Sequence, residues 1–232
     1  MNRGTNPPKL NERLAEQAGK APGGVIETIK AAQAEVEESS VAPGLEVGDV
    51  APDFTLSDAT GQSISLYERL KDGPVVLSFY RGEWCPYCNI ELRALQELLS
   101  EIRELGASLI AISPQTPDDA LTVTEKQDLE YAVLSDPAQE VISAFRVRYL
   151  VPETVQEISL NILNNDLTKR NADGTWNLPL PATFVIDPDG VIRARHVSAN
   201  YMTSRMEPSE IIHALESIRS DGPDSEGTQD DR

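Results

Sequence analysis

Val75-Val76-Leu77-Ser78-Phe79-Tyr80 leads through Arg81-Gly82-Glu83-Trp84 into Cys85-Pro86-Tyr87-Cys88. The first six residues are an apolar run of strand length, bounded by polar residues, and read as a buried β-strand. Beyond the cysteines, Ile90, Leu92, Ala94, Leu95, Leu98, Leu99 and Ile102 recur at helical spacing. The cysteine pair therefore lies where a strand turns into a helix. Pro86 fits the first helical position, where a missing N–H costs nothing. The first cysteine then faces the unpaired N–H groups and the positive end of the helix dipole, which favour a thiolate. These are the only two cysteines of the chain. A low-pKa thiolate beside a resolving thiol is the equipment for thiol–disulfide or peroxide chemistry.

On both sides of this junction strands and helices alternate. Leu109-Ile110-Ala111-Ile112 predicts a second buried strand. Thr116 to Lys126 predicts a helix, started by Thr116 or Pro117 with Asp118 and Asp119 in its first turn. Tyr131 to Leu134 predicts a short strand, and Pro137 to Val147 a helix capped by Asp136. Two hairpins flank the set: Ala51–Leu56 with Ser63–Leu66 around Thr60-Gly61, and Thr183–Asp187 with Val191–Arg195 around Pro188-Asp189-Gly190. Pro208 to Ile218 predicts the last helix. The order implies an α/β chain, with a central mixed sheet flanked by helices. Tyr149 to Leu180 breaks the alternation and reads as an inserted helix and loop near the site.

Upstream, the apolar positions from Leu10 to Val36 are split by Pro22-Gly23-Gly24 into two helices. They read as an extension packed on the main domain or across a homodimer. Residues 1–7 and the acidic stretch from Ser220 to Arg232 read as disordered. The expected divisions are an N-terminal helical extension (1–46), a main domain (47–219) with an insertion at 149–180, and a tail (220–232).

The chain has 232 residues, 40% of them hydrophobic, enough for one good core. A net charge of −18 repels nucleic acid and anionic lipid, so neither is an expected partner. No segment has the length and apolarity of a membrane span. Met1 to Lys20 is polar and lacks the apolar core of a signal peptide, so a reducing cytoplasm is the expected location. There a C-x-x-C pair is catalytic rather than structural. A zinc site needs four ligands, and only His196 and His213 remain as nitrogen donors, so no metal or other cofactor is expected.

Three stretches carry a family resemblance: Val47–Cys88, Ile112–Val147 and Leu180–Val197. Together they resemble the peroxiredoxin-like branch of the alkyl hydroperoxide reductase/thiol-specific antioxidant (AhpC/TSA) family, over roughly residues 47–218 apart from the insertion. The resemblance implies a thioredoxin-like fold. A typical member carries Pro-x-x-x-Thr-x-x-Cys at the strand–helix junction. Aligned without gaps, its attacking cysteine falls on Cys88, its threonine on Cys85, its proline on Arg81 and its later arginine on Pro181. Three of these four positions differ here. In their place stand Trp84-Cys85-x-x-Cys88, similar to thioredoxin, and Pro181 where thioredoxins place a cis-proline beside the active disulfide. Cys-Pro-Tyr-Cys is also spelled as in dithiol glutaredoxins. The buried aspartate of thioredoxins has no counterpart in the strand at 75–80, where Ser78 is the polar residue.

The resemblance implies a thiol peroxidase for hydrogen or alkyl peroxides, working through Cys85 and Cys88 and recycled by a thioredoxin- or glutathione-type reductant. A thiol–disulfide oxidoreductase and a non-enzymatic redox-sensing adaptor are the alternatives. Thioredoxin logic makes Cys85 the nucleophile and Cys88 the resolving thiol, and is favoured; peroxiredoxin logic reverses the roles. Arg81, four residues before Cys85, either depresses a thiolate pKa and holds peroxide oxygens, or pairs with Glu83 or Glu91 at the strand end. Trp84 and Pro181 are the candidate substrate-facing residues. Arg193, Arg195 and Arg205 read as solvated.

Overall fold

The computed structural model describes residues 9–21 and 23–220. The segments read as disordered, 1–7 and the tail beyond Ser220, lie outside the described residues. Nine strands occur among them: β1 (Thr55–Asp58), β2 (Ser63–Ser65), β3 (Val75–Phe79), β4 (Ser108–Ser113), β5 (Ala132–Ser135), β6 (Arg148–Leu150), β7 (Asn177–Pro179), β8 (Ala182–Ile186) and β9 (Ile192–Val197). The helices are α1 (Leu10–Ala18), α2 (Gly23–Ser39), α3 (Leu66–Leu70), α4 (Pro86–Glu104), α5 (Pro117–Gln127), α6 (Glu140–Ala144), α7 (Glu153–Asn161) and α8 (Pro208–Ser220).

Seven strands form one mixed sheet in the order β2-β1-β5-β4-β3-β8-β9. β3, β4 and β5 run parallel, and β8 returns antiparallel on the other side of β3. β3 is thus central and paired on both edges, which is why it carries no charged residue. Its side chains alternate between two cores. Val76 and Tyr80 join the core under α4, α5 and α8, whereas Val75, Leu77 and Phe79 join the core under α3 and α6. Phe79, Phe145 and Phe184 meet in the second core with centroids 5.1–6.1 Å apart, at tilted to edge-on angles that suit aromatic quadrupoles.

α4 forms because its apolar residues fall on one stripe: Leu92, Leu95, Leu99 and Ile102 are all buried against the sheet. Burial of each such side chain contributes about 1.5–3 kcal/mol. That stripe fixes the direction in which the helix N-terminus, and the cysteines on it, leave the end of β3.

α1 and α2 pack on their own domain. Leu10 and Leu14 enter the core beside α4, and the Glu207 carboxylate accepts hydrogen bonds from the Leu10 and Asn11 N–H groups at 2.9 Å. An acidic side chain there satisfies two unpaired donors at the positive end of α1.

The inserted segment contains more than a helix and a loop. β6 and β7 pair antiparallel as a separate two-stranded sheet, and Tyr149, Val151, Leu167, Leu178 and Leu180 form a small third core that Trp84 also touches. The predicted helix at 137–147 shrinks to Glu140–Ala144. Gln139 adopts a left-handed φ of 55°, and the Asp136 carboxylate reaches forward to the N–H groups of Glu140 and Ile142 instead of capping in place. α8 runs through Ser220, one residue into the predicted tail. No cis peptide bond occurs among the described residues, so the bond before Pro181 is trans, contrary to what the thioredoxin resemblance implied. Among the described residues no helix is long and apolar enough to cross a membrane.

Candidate active site

The carboxyl end of β3 runs into a tight loop before α4, the usual place for a site in an open α/β sheet. Gly82 makes the loop possible. Its φ is +148°, and a Cβ there would lie 2.5 Å from Trp84 Nε1 and 2.9 Å from Gln115 Oε1. The buried Gln115 accepts from the Glu83 N–H at 2.5 Å, and Asn89 donates to the Glu83 carbonyl at 2.9 Å. Glu83 forms ion pairs with Lys126 and Arg170, each at 3.6 Å. The inserted segment is thereby tied to the cysteine loop.

Cys85 is the N-cap residue of α4 and Pro86 follows at the first helical position. Cys88 sits one turn in, at the third. Both thiols are free and buried, Cys85 at 1% exposure and Cys88 at 0%. Burial pushes the Cys85 thiol up. The Cys88 thiol, the Arg81 charge, the Cys88 backbone N–H and the Arg205 charge together outweigh it, and the Cys85 thiol falls to about 6. Burial and the adjacent Cys85 sulfur instead push the Cys88 thiol well above its usual range. One turn of helix therefore holds two thiols of opposite character. At neutral pH the pair is mostly a Cys85 thiolate beside a protonated Cys88.

Arg81 is 5% exposed, and its guanidinium carbon lies 3.9 Å from the Tyr201 ring centroid and 5.0 Å from that of Trp84. No carboxylate among the described residues pairs with it, and its Nε has no hydrogen-bond partner there. The sequence offered Glu83 and Glu91 as partners. The structure gives Glu83 to Lys126 and Arg170, and Glu91 to Arg205. Arg81 is left as a buried cation held over aromatic faces.

Arg205 is the clearest correction. The expectation of a solvated side chain is wrong: it is 1% exposed. Its Nε donates to Glu91 Oε2 at 2.7 Å, and Nη1 donates to the Ser204 carbonyl at 2.8 Å. Asn11 of α1 clamps the Arg205 backbone through both its amide and its carbonyl. Two guanidinium cations and one carboxylate thus lie around two thiols. The site carries one net positive charge until Cys85 loses its proton, a physical reason for the low pKa of that thiol. The signal was present in the sequence. Glu91 falls three residues after Cys88 within the apolar stripe of α4, and a carboxylate there requires a buried partner.

Trp84 is half-buried beside this cluster and Tyr87 packs edge-on to Tyr201 at 5.9 Å. Pro181 is buried and immediately precedes Ala182, the register partner of Phe79, so it lies across from the Tyr80 end of β3. All five residues singled out from the sequence therefore lie on the cysteine loop, at the start of α4 or at the adjoining strand end. Arg193 and Arg195 lie on the last hairpin, paired with Asp187 and Glu46.

The AhpC/TSA family model matches residues 47–195. This chain belongs to the AhpC/TSA family. Peroxiredoxin Bcp of Escherichia coli (strain K12) is 29% identical over 160 residues, covering 69% of this chain and 89% of that protein. Thiol-disulfide oxidoreductase ResA of Bacillus cereus is 29% identical over 149 residues, covering 64% of this chain and 68% of that one. The crystal structure of peroxidoxin BcpB from Mycobacterium tuberculosis superposes with a TM-score of 0.58 at 28% identity, covering 76% of this chain and 97% of that one. The fold expected from the sequence, a thioredoxin-like mixed sheet flanked by helices, is the fold found.

Proposed function

We propose that this oxidoreductase is a thiol peroxidase in which Cys85 attacks peroxide and Cys88 resolves the product. The observation that carries the reading is two free, buried thiols one helical turn apart, the first at the N-cap of α4, beside a buried Arg81 that pairs with no carboxylate among the described residues. The Cys85 thiolate attacks one peroxide oxygen. The S–O bond forms, the O–O bond breaks, and the departing alkoxide or hydroxide takes a proton to leave as alcohol or water. Arg81 stabilises the negative charge on the departing oxygen. The Cys88 sulfur, giving up its proton, then attacks the Cys85 sulfenic acid and expels water, leaving a Cys85–Cys88 disulfide. Two thiols have lost one electron each, and the peroxide has gained two. An external dithiol of thioredoxin type, or glutathione, returns the electrons by exchange.

Such recycling suits a reducing cytoplasm, the location we favour. A homodimer would use apolar surface outside α1 and α2, since these pack on their own domain; Leu160, Ile162 and Leu163 at the end of α7 are exposed. A second reading, thiol–disulfide exchange with protein or glutathione substrates, is supported by the C-x-x-C spacing and by the relative named ResA.

The test is the rate at which the reduced protein loses thiols to hydrogen peroxide, with a small free thiol as reference. The expected rate exceeds the reference at least about a hundredfold. It rises with pH through about 6, where Cys85 becomes a thiolate, and levels off above. Arg81→Met moves that midpoint upward, toward the ordinary thiol value of about 8.5, and lowers the plateau. Loss of thiols at the reference rate would transfer the assignment to disulfide substrates.

A further inference from the structure

α2 and α7 pack against each other next to Tyr149 and Tyr201, and a small cavity, partly open to solvent, lies among them. Its lining includes Ala32 and Gln33 of α2, Val155 of α7, Leu180, Tyr149 and Tyr201. The volume is about 10 Å³, room for a single water-sized guest. Gln33 is 8% exposed, yet neither its Oε1 nor its Nε2 has a hydrogen-bond partner among the described residues. A buried amide with both ends unpaired is a costly arrangement that a folded chain rarely keeps without an occupant. The lining adjoins the chemistry, because Tyr201 lies on the Arg81 guanidinium and packs against Tyr87 of the cysteine helix. Tyr149, whose phenol burial raises to about 12 against the opposing charge of Arg81, stays a neutral hydrogen-bonding group.

We infer that this cavity is a binding site for one small hydroxylic molecule, water at rest and hydrogen peroxide in turnover, with Gln33 as the group that selects it. The inference rests on the peroxidase reading and narrows its substrate class. Hydrogen peroxide is little larger than water and both donates and accepts, matching the amide N–H and carbonyl of Gln33. The inner space has no room for a cumyl or long alkyl chain, which would have to stay at the open mouth. The peroxide passes the Tyr201 edge to the Cys85 sulfur; the S–O bond forms as the O–O bond breaks, and the hydroxide released takes a proton and leaves as water.

The experiment measures thiol oxidation of the reduced full-length chain by hydrogen peroxide and by cumene hydroperoxide, in the native protein and in Gln33→Leu and Gln33→Ala. The native protein is expected to react at least about tenfold faster with hydrogen peroxide. Gln33→Leu, which fills the cavity without polar groups, slows that reaction about tenfold or more while its pH midpoint stays near 6. Gln33→Ala widens the cavity and raises the rate with cumene hydroperoxide. A high-resolution crystal structure is expected to show one solvent molecule bonded to Gln33 Oε1 or Nε2. Equal native rates with both peroxides, a Gln33→Leu variant of unchanged rate, or a dry cavity would each overturn the inference and leave the peroxidase reading standing. If neither peroxide outpaces the free thiol, both fall together.

Discussion

Cys85→Ser is expected to lower peroxide-dependent thiol oxidation at least about a thousandfold, because a serine hydroxyl is not ionised at neutral pH and no other group replaces it. Cys88→Ser is expected to behave differently. It keeps a nucleophile at Cys85, since the positive charges of Arg81 and Arg205 remain, and it still consumes one equivalent of peroxide. It then stops, because the sulfenic acid has no partner thiol one helical turn away, and further peroxide drives it toward sulfinic acid. Rapid-mixing fluorescence from Trp84 follows the first step. Intact mass after one equivalent of peroxide distinguishes the products: one added oxygen in Cys88→Ser, the loss of two hydrogens in the native chain. The converse pattern, with Cys88→Ser inert and Cys85→Ser oxidised at the native rate, would place the attack at Cys88, where the gap-free peroxiredoxin alignment puts it.

The strand–helix junction was legible because its information is local. Val75–Phe79 has no polar residue except Ser78, and the α4 stripe repeats at 3.6 residues, so the position of the cysteines followed from neighbours in sequence. What the sequence hid is non-local. β6 and β7 are three residues each and separated by 26 residues, too short to show a period of two. α3 has no counterpart among the expected elements: the expected strand ends at Leu66, its first residue, and only the Ser65 cap marks its start. Arg205 stands in a stretch with no helical or strand periodicity, and its partner Glu91 lies 114 residues away. The apolar stripe of α4 marks Glu91 as needing a buried partner, but nothing near Arg205 in sequence marks it as that partner. Arg81 is the complementary case. It was recognised from its spacing to Cys85, but its lack of a carboxylate follows only from where Glu83 and Glu91 spend theirs.

Arg205→Met is expected to destabilise the reduced protein by about 3–5 kcal/mol at neutral pH. Both members of the Glu91–Arg205 pair are almost fully buried, at 2% and 1% side-chain exposure. Removing the guanidinium leaves a buried carboxylate with the Thr183 hydroxyl as its remaining side-chain hydrogen-bond partner. Burial already raises the Glu91 pKa in the native protein, with Arg205 opposing the rise. In the variant that opposition is gone, so the folded state binds the Glu91 proton more tightly still. A raised carboxyl pKa favours the folded state most at low pH, and that contribution is lost as the pH climbs through the folded value. The penalty of Arg205→Met is therefore smallest near pH 4 and grows toward neutrality, which urea unfolding at a series of pH values measures directly. Glu91→Leu combined with Arg205→Met removes both charges, and is expected to recover most of the lost stability because two apolar side chains need no pairing. The double variant should nevertheless alter the cysteines. Arg205 lowers both thiols and Glu91 raises that of Cys88, so their joint removal takes one favourable charge from the Cys85 thiolate and moves its midpoint up. A double variant that regains its unfolding free energy while its oxidation midpoint rises would separate the two roles of the pair. A penalty independent of pH would mean that Glu91 is not the charge left behind.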